Sequence, residues 1–126
     1  MAIQQQIGTS EDWFIGEDKT LSFEVYDSTG VTMQDVTGWA IQWVLRKMLD
    51  DDAIQLNKAT GGSGISITGT YNSDRATNTQ RVVVTVADTD TDNMQPGLYH
   101  HALKRTTDTA ETVLSYGTVH LKKAAL

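Results

Sequence analysis

Hydrophobic and polar residues alternate along several short stretches of the chain. In TLSFEVY, the apolar residues Leu21, Phe23 and Val25 occupy every second position. A period of two residues is typical of a half-buried β-strand. Four further stretches predict strands because they alternate or are rich in β-branched residues, namely ISIT, RVVVTV, LYHHALKR and TVLSYGTVHL. The polar stretch RTTDTAE is the predicted hairpin loop between the last two.

The stretch DVTGWAIQWVLRKMLDDD fits two kinds of secondary structure. As a strand it places Trp39 and Trp43 on one face, and as a helix it gives an apolar stripe that reaches Met48. We favour a strand through about Arg46, because aromatic and β-branched residues dominate and the neighbouring stretches are strands. A helix over LRKMLDDDA, within residues 44–53, stays open as an alternative. Both tryptophans are expected in the core or on a sheet face.

Two polar stretches connect the predicted strands. KATGGSGISITG is rich in glycine, but no Lys-Ser or Lys-Thr pair follows Gly64, so a phosphate-binding loop is excluded and a flexible hairpin loop is predicted. TYNSDRATNTQ predicts a second loop, exposed and mobile. About seven short strands, separated by turns roughly every ten residues, favour a β-sandwich.

Composition limits the domain organisation and the partners. The chain has 126 residues, no cysteine and a formal net charge of −6. We predict an N-terminal arm over residues 1–12 and a single domain over 13–126. The missing cysteine excludes disulfides, thiolate metal sites and thiol nucleophiles. The acidic balance argues against nucleic acid and membrane partners. We expect no signal peptide. No apolar run in the sequence approaches the roughly 20 residues needed to cross a bilayer.

An aspartate run in VVVTVADTDTDNMQPGLY is the most chemical feature of the sequence. Asp88, Asp90 and Asp92 occupy alternate positions, as at the start of a calcium loop. Counting from Asp88 places Asn93 where that loop needs glycine, and Tyr99 where it needs a bidentate glutamate. We therefore predict a one-turn helix capped by Asp88, with Asp90 and Asp92 in its first turn. The three aspartates are weak metal candidates.

The histidines and serines do not form a catalytic pattern. His100 and His101 are neighbours in a predicted strand, so they point to opposite faces and cannot readily share a metal. His120 could face one of them across the hairpin, but nothing supplies a third ligand at a fixed spacing. No GxSxG motif and no nucleophilic triad is present. We expect no catalytic residue and no cofactor, and hence no enzyme.

The N-terminal region holds the candidate interface residues. Trp13, like the other two tryptophans, is most simply a core or sheet-face residue. It lies near the acidic arm, however, and is the best candidate for an exposed aromatic anchor, with Phe14 beside it. Ile3 and Ile7 are apolar residues within the polar arm. They would lose solvent exposure if the arm became ordered on a neighbouring protein.

The stretch MQPGLYHHAL resembles the tyrosine corner of immunoglobulin-like sandwiches, in which Pro96 and Gly97 lead into Tyr99. The resemblance implies that the Tyr99 hydroxyl bonds back to the preceding turn. It also places His101 where an antibody domain has its second cysteine, so the domain would be a disulfide-free variant.

Three longer stretches, 16–21, 35–39 and 88–103, are similar to a family of small phage virion proteins. That family includes the N-terminal immunoglobulin-like domain of baseplate upper proteins and short single-domain head and tail proteins. The resemblance implies an all-β, immunoglobulin-like antiparallel β-sandwich of about seven strands with one short helical turn. It implies no catalytic residues.

Assembly in a bacteriophage virion, after synthesis in the bacterial cytoplasm, is the role that the resemblance implies. The leading hypothesis is a capsid decoration protein that binds the head shell through its sandwich face, its loops and the N-terminal arm. A tail or baseplate module is the alternative. The expected partners are the major capsid protein or tail and baseplate proteins, with a homo-oligomer in the particle. A calcium- or carbohydrate-binding sandwich is a second class, suggested by the three tryptophans and the aspartate run.

Overall fold

A computed structural model describes residues 3–4, 13–47, 54–62, 64–107 and 109–123. This part of the chain forms nine strands and one turn of helix. The strands are β1 (Ile3–Gln4), β2 (Trp13–Phe14), β3 (Lys19–Phe23), β4 (Ile41–Lys47), β5 (Ile54–Ala59), β6 (Ile65–Thr68), β7 (Arg81–Val86), β8 (Gly97–Arg105) and β9 (Thr112–Lys122). The helical turn α1 (Asp88–Thr91) joins β7 to β8.

The strands form two sheets. The larger has the order β1-β9-β8-β4-β5, and β2 also pairs with β9; the smaller has the order β3-β7-β6. With β3, β7 and β6 as strands B, E and D, and β4, β8 and β9 as strands C, F and G, this is the immunoglobulin-like arrangement. The predicted all-β sandwich with one short helical turn is confirmed. The pairing departs from a purely antiparallel sandwich at β1 and β2, which run parallel to β9.

The core lies between the sheets and is built from the inward positions of each strand. β4 follows the pattern buried, half-buried along its length, so Ile41, Trp43 and Leu45 point inward. The Trp43 ring lies 6.3 Å from the His101 ring, centroid to centroid, with both side chains buried. In antibody domains a tryptophan of this strand packs against the disulfide. Here an imidazole takes the place of that disulfide.

The five stretches predicted as strands are confirmed: TLSFEVY forms β3 as far as Phe23, and the other four form β6, β7, β8 and β9. The loop predicted between the last two is also confirmed, because β8 and β9 pair as an antiparallel hairpin. The ambiguous stretch is the strand β4 as far as Lys47, and residues 48–53 lie outside the described residues. Strand β5 was not predicted, because IQLNKA at the sheet edge lacks a continuous apolar alternation.

The glycine-rich connection is not the predicted hairpin loop. β5 belongs to the larger sheet and β6 to the smaller one, so these two strands do not form a hairpin. The prediction was wrong because flexibility alone does not reveal which strands a loop joins. Gly64 forms a bridge with Ala59 and accepts a hydrogen bond from Thr85 N at 2.9 Å. A Cβ atom there would lie 2.6 Å from Cδ of Lys58, which explains the glycine.

The predicted polar loop, now placed between β6 and β7, is exposed over most of its length. It is also held by its own hydrogen bonds, since Asn78 Oδ1 accepts from Asn72 N at 2.8 Å. The loop docks on the segment between β3 and β4, where Tyr71 donates its hydroxyl to Met33 O at 3.0 Å. Met33 N in turn donates to Ser73 O at 3.1 Å. The predicted mobility of this loop stays a prediction.

Two glycines give a matched test of this loop. Gly69 and Gly38 have nearly equal positive φ values, +78° and +77°, but only a Cβ at Gly69 would collide with the backbone of Thr79. We expect Gly38→Ala to lower the free energy of unfolding by about 1 kcal/mol, the cost of a left-handed alanine. We expect Gly69→Ala to cost about 3 kcal/mol or more, because the loop must shift. Urea denaturation of both variants measures this difference, and equal losses would contradict the packing of the loop.

Candidate functional site

The helical turn α1 is organised by Asp90. Its Oδ2 accepts a hydrogen bond from Ala87 N at 2.8 Å and forms a salt bridge with Lys58 Nζ at 2.8 Å. Ala87 has the extended backbone conformation of an N-cap residue, but its methyl group cannot cap a helix. Asp90, three positions later, supplies the other half of a capping box, because its carboxylate accepts from the backbone amide of the N-cap residue itself. The prediction that Asp88 caps the turn is therefore wrong: Asp88 is the first helical residue.

The other two aspartates have different roles. Asp88 Oδ1 accepts from the adjacent Thr89 N at 2.9 Å. Asp92 lies at the C-cap rather than in the first turn, which corrects the prediction, because the helix ends after a single turn at Thr91. A carboxylate at a helix C-terminus gains nothing from the helix dipole. Asp92 instead lies beside Gly16, where an added Cβ would be 3.3 Å from Asp92 Oδ1.

Two hydrogen bonds join α1 to the turn between β2 and β3. Gly16 N donates to the hydroxyl oxygen of the fully buried Thr91 at 2.8 Å. Asp88 N donates to Asp18 Oδ1 at 2.7 Å. Each bond crosses more than sixty residues of sequence, since the separations are 75 and 70 residues. These contacts hold the turn between β2 and β3 against α1, next to the first residues of β3.

The aspartates do not converge on a cation. The Asp90 carboxylate is committed to a lysine and a backbone amide, and Lys58 lowers the pKa of Asp90 through its hydrogen bond. Within the described ranges, no group of three or more histidine, cysteine, aspartate or glutamate side chains could hold a metal ion. The geometry of α1 is that of a stabilised turn.

The tyrosine corner is confirmed. Tyr99 is buried, and its hydroxyl donates to Gln95 O at 2.6 Å. Burial raises the pKa of the Tyr99 phenol, so the hydroxyl keeps the proton that it donates. Pro96 and Gly97 lie between the two partners, and Gly97 begins β8 with a φ of +147°. The bond closes the connection from α1 into the sheet.

The histidines lie on two faces, as predicted. His101 is buried opposite Gly117, whose missing side chain leaves room for the imidazole ring. His100 and His120 are exposed on the other face of the sheet. His100 pairs with Thr118 and His120 with Leu98, so the two histidines are diagonal neighbours. In the part of the chain that the structure describes, no third ligand joins them.

The aromatic residues of the N-terminal region require a correction. Trp13 is fully buried in the core, so its prediction as an exposed anchor is wrong. The sequence could not show this, because Trp13 enters the core by pairing in parallel with Leu121, near the other end of the chain. Phe14 is half-buried. Ile3 lies in β1, opposite Ser115, and Ile7 lies outside the described residues.

Three residues to which the sequence pattern did not point hold loops in place, namely Gln80, Asp35 and Arg105. Gln80 is buried; its Oε1 accepts from Val36 N at 3.1 Å, and its Nε2 donates to Asp35 Oδ1 at 3.1 Å. The Thr37 hydroxyl lowers the pKa of Asp35 by a hydrogen bond to its carboxylate. The Arg105 guanidinium lies 3.9 Å above the half-buried Trp39 ring. Of these contacts, the sequence could have suggested only the one between Asp35 and Thr37, through an aspartate–threonine turn pattern.

The larger sheet has an exposed face that points away from the core, and this face contains apolar residues. We call it the outer face and define it by Arg46, Leu98, His100, Lys104, Val113 and Tyr116. The exposed fractions of Leu98 and Tyr116 are 49% and 42%. Exposed apolar side chains are one feature of protein-binding surfaces.

Comparison with known proteins does not assign the chain to a family. The sequence matches no family model, and no curated protein is significantly similar to it. Within the described residues, no helix is both long and apolar enough to span a bilayer.

Replacing Asp90 by asparagine tests the electrostatic account of α1. Because the folded-state pKa of Asp90 is lowered, its carboxylate stabilises the fold above the ordinary pKa of about 4, and this stabilisation is lost as the pH falls through the lowered value. We expect Asp90→Asn to lower the free energy of unfolding by about 1–2 kcal/mol at pH 7.

Urea denaturation between about pH 7 and about pH 3 measures this effect. The difference between wild type and Asp90→Asn should shrink towards low pH. Glu17→Gln is the matched control, because Glu17 is an exposed carboxylate in the neighbouring turn. A difference that stays constant with pH, or an equal effect of Glu17→Gln, would contradict the role of the Asp90 charge.

Proposed function

We propose that the chain is a non-enzymatic structural protein of a bacteriophage virion. Within the particle it acts as a capsid decoration protein that binds the head shell through its sandwich face, its loops and the N-terminal arm. Its partners are other virion proteins, the major capsid protein first among them. A tail or baseplate module is the alternative, since the same surfaces would suit either location.

The resemblance to small phage virion proteins supports this proposal through the positions of its three stretches. Each stretch contains a residue whose contact connects elements of the sandwich. Gly16 of the first bonds to Thr91 of the third, and Trp39 of the second stacks under Arg105. Tyr99 of the third closes the tyrosine corner. The resemblance therefore rests on residues that determine the fold, which is what related single-domain structural proteins would retain.

The observation that carries the proposal is the contrast between committed polar groups and an exposed outer face. Asp90 stabilises a turn and His101 fills the core, so neither group is arranged for chemistry. Leu98 and Tyr116 are exposed on the outer face of the larger sheet. Val31 adds an apolar side chain, with an exposed fraction of 76%, in the segment between β3 and β4. Surfaces of this kind suit binding to a folded protein partner.

The N-terminal arm provides a second means of attachment. Among the described residues of the arm, Ile3 and Gln4 form β1, which pairs with β9 at the edge of the larger sheet. Gln4 pairs with Tyr116 and Trp13 with Leu121, so eight residues of the arm connect positions only five residues apart on β9. The length of this connection would allow β1 to reach a neighbouring protein.

Proteomics and cryo-electron microscopy of purified particles test the proposal. We expect the protein in the particle at on the order of hundreds of copies on the head shell, whereas roughly six or twelve copies would indicate a tail or baseplate ring. Its absence from particles would contradict the proposal.

A surface variant makes the test specific to the outer face. Leu98→Asp introduces a charge into the proposed contact, and we expect at least about a tenfold loss of incorporation into particles. Ser66→Asp is the matched control, because Ser66 is exposed on β6 of the smaller sheet. Equal incorporation of the two variants would exclude the outer face as the attachment surface.

A further inference from the structure

We infer that His100 and His120 form half of a binding site for a divalent transition metal, and that a second copy of the chain supplies the other half. The bound metal, for which zinc is the best match, joins the two copies beside Leu98, at one end of the outer face. The inference goes beyond the proposed function and does not rest on it, because it concerns a property of the purified chain.

The two imidazoles lie on the exposed side of the hairpin formed by β8 and β9. Strand register pairs His100 with Thr118 and Leu98 with His120, so the two histidines are separated by one diagonal step across the strands. Side chains in this relation are about 7–8 Å apart, within reach of long side chains. Because both imidazoles extend from the same face and each metal–nitrogen bond spans about 2 Å, one ion can bind both.

Neither imidazole is committed to another group in the part of the chain that the structure describes. Both side chains are exposed, and no hydrogen bond or salt bridge of the described residues engages them. They differ in this from His101, which is buried beside Trp43. A neutral imidazole is the commonest side-chain ligand of metals, and it suits zinc, copper and nickel. The pair therefore presents two nitrogen donors on one surface.

Two ligands are too few for a stable site within one copy. Zinc is almost always bound by four ligands in structural sites, and the described residues contain no group of three or more candidate side chains. A two-fold contact doubles every group that it contains, so a second copy brings its own His100 and His120 to the same ion. Four imidazole nitrogens complete the tetrahedron, and the association stops at a dimer.

The surroundings of the pair are compatible with such a contact. Leu98 lies opposite His120 and two positions before His100, and its exposed fraction of 49% leaves apolar surface to bury against the second copy. The neighbouring cations are Arg46, opposite His100 on β4, and Lys122, two positions after His120. Both take part in other interactions of the chain. At an exposed surface, solvent and salt screen much of their repulsion of the metal.

Sedimentation velocity of the purified full-length chain, without an affinity tag, provides the first test. We expect a monomer in EDTA and a dimer when zinc is added, and EDTA should reverse the change. Magnesium and calcium should have no effect, because these hard cations prefer oxygen ligands. A monomer at every zinc concentration, a dimer that persists in EDTA, or growth beyond the dimer would each overturn the inference.

Cobalt(II) is a spectroscopic probe of the same site. A four-coordinate tetrahedral cobalt ion absorbs visible light much more strongly than the hydrated ion, which has six ligands. We expect this absorption to saturate at one cobalt ion for every two chains. Saturation at one ion per chain, or absorption as weak as that of the hydrated ion, would show that the second copy does not complete the site.

His100→Ala and His120→Ala test the two ligands separately. Each variant should stay monomeric in zinc, with the metal bound at least about tenfold more weakly, since even the loss of a group that only supports a ligand costs that much. Both positions are exposed, so neither substitution removes a side chain from the core. Lys104→Ala, near the other end of β8, is the matched control and should dimerise as the wild type does.

Two results with these variants would overturn the inference. Zinc-dependent dimerisation of either histidine variant would show that the missing imidazole is not a ligand. Equal weakening by Lys104→Ala would assign the effect to the surface as a whole. The particle experiments require neither added metal nor these variants, so this inference and the proposed function can fail separately.

Discussion

The buried hydrogen bond from the Tyr99 hydroxyl to the Gln95 carbonyl fixes the point at which the chain enters the larger sheet. β8, which begins there, lies between β4 and β9 and therefore sets the register of both neighbours. The same strand carries His101, whose ring packs near that of Trp43 in the core. A shift of one residue in β8 would turn Tyr99 and His101 to the solvent. The bond thus links a local turn to the packing of the whole sandwich.

The aspartate-rich turn beside this bond is stabilised by the protein's own groups. Asp90 accepts a hydrogen bond from the backbone amide of Ala87 and also binds Lys58 of the edge strand β5. These contacts connect α1 with the larger sheet, while the bond from Gly16 to Thr91 connects it with the turn before β3. The turn is therefore held on both sides by groups of the protein itself.

The sequence predicted the features that depend on local pattern. The pattern of RVVVTV matches β7 from Arg81 to Val86. The resemblance of the stretch around Pro96 and Gly97 to a tyrosine corner implied the hydrogen bond of Tyr99. Features that depend on distant residues were missed. The salt bridge between Lys58 and Asp90 spans 32 residues and requires β5, whose polar sequence does not alternate. The burial of Trp13 depends on pairing with Leu121, which no local pattern could reveal.

The segment from α1 to β8 is a structural joint of the sandwich that depends on the hydrogen bond from the Tyr99 hydroxyl to the Gln95 carbonyl. The most direct test of this claim is the free energy of unfolding of Tyr99→Phe, measured by urea denaturation beside Tyr116→Phe, in which an exposed tyrosine loses the same hydroxyl. The account predicts a loss of about 1–2 kcal/mol for Tyr99→Phe and a change within about 0.5 kcal/mol for Tyr116→Phe. Equal changes in the two variants would contradict it.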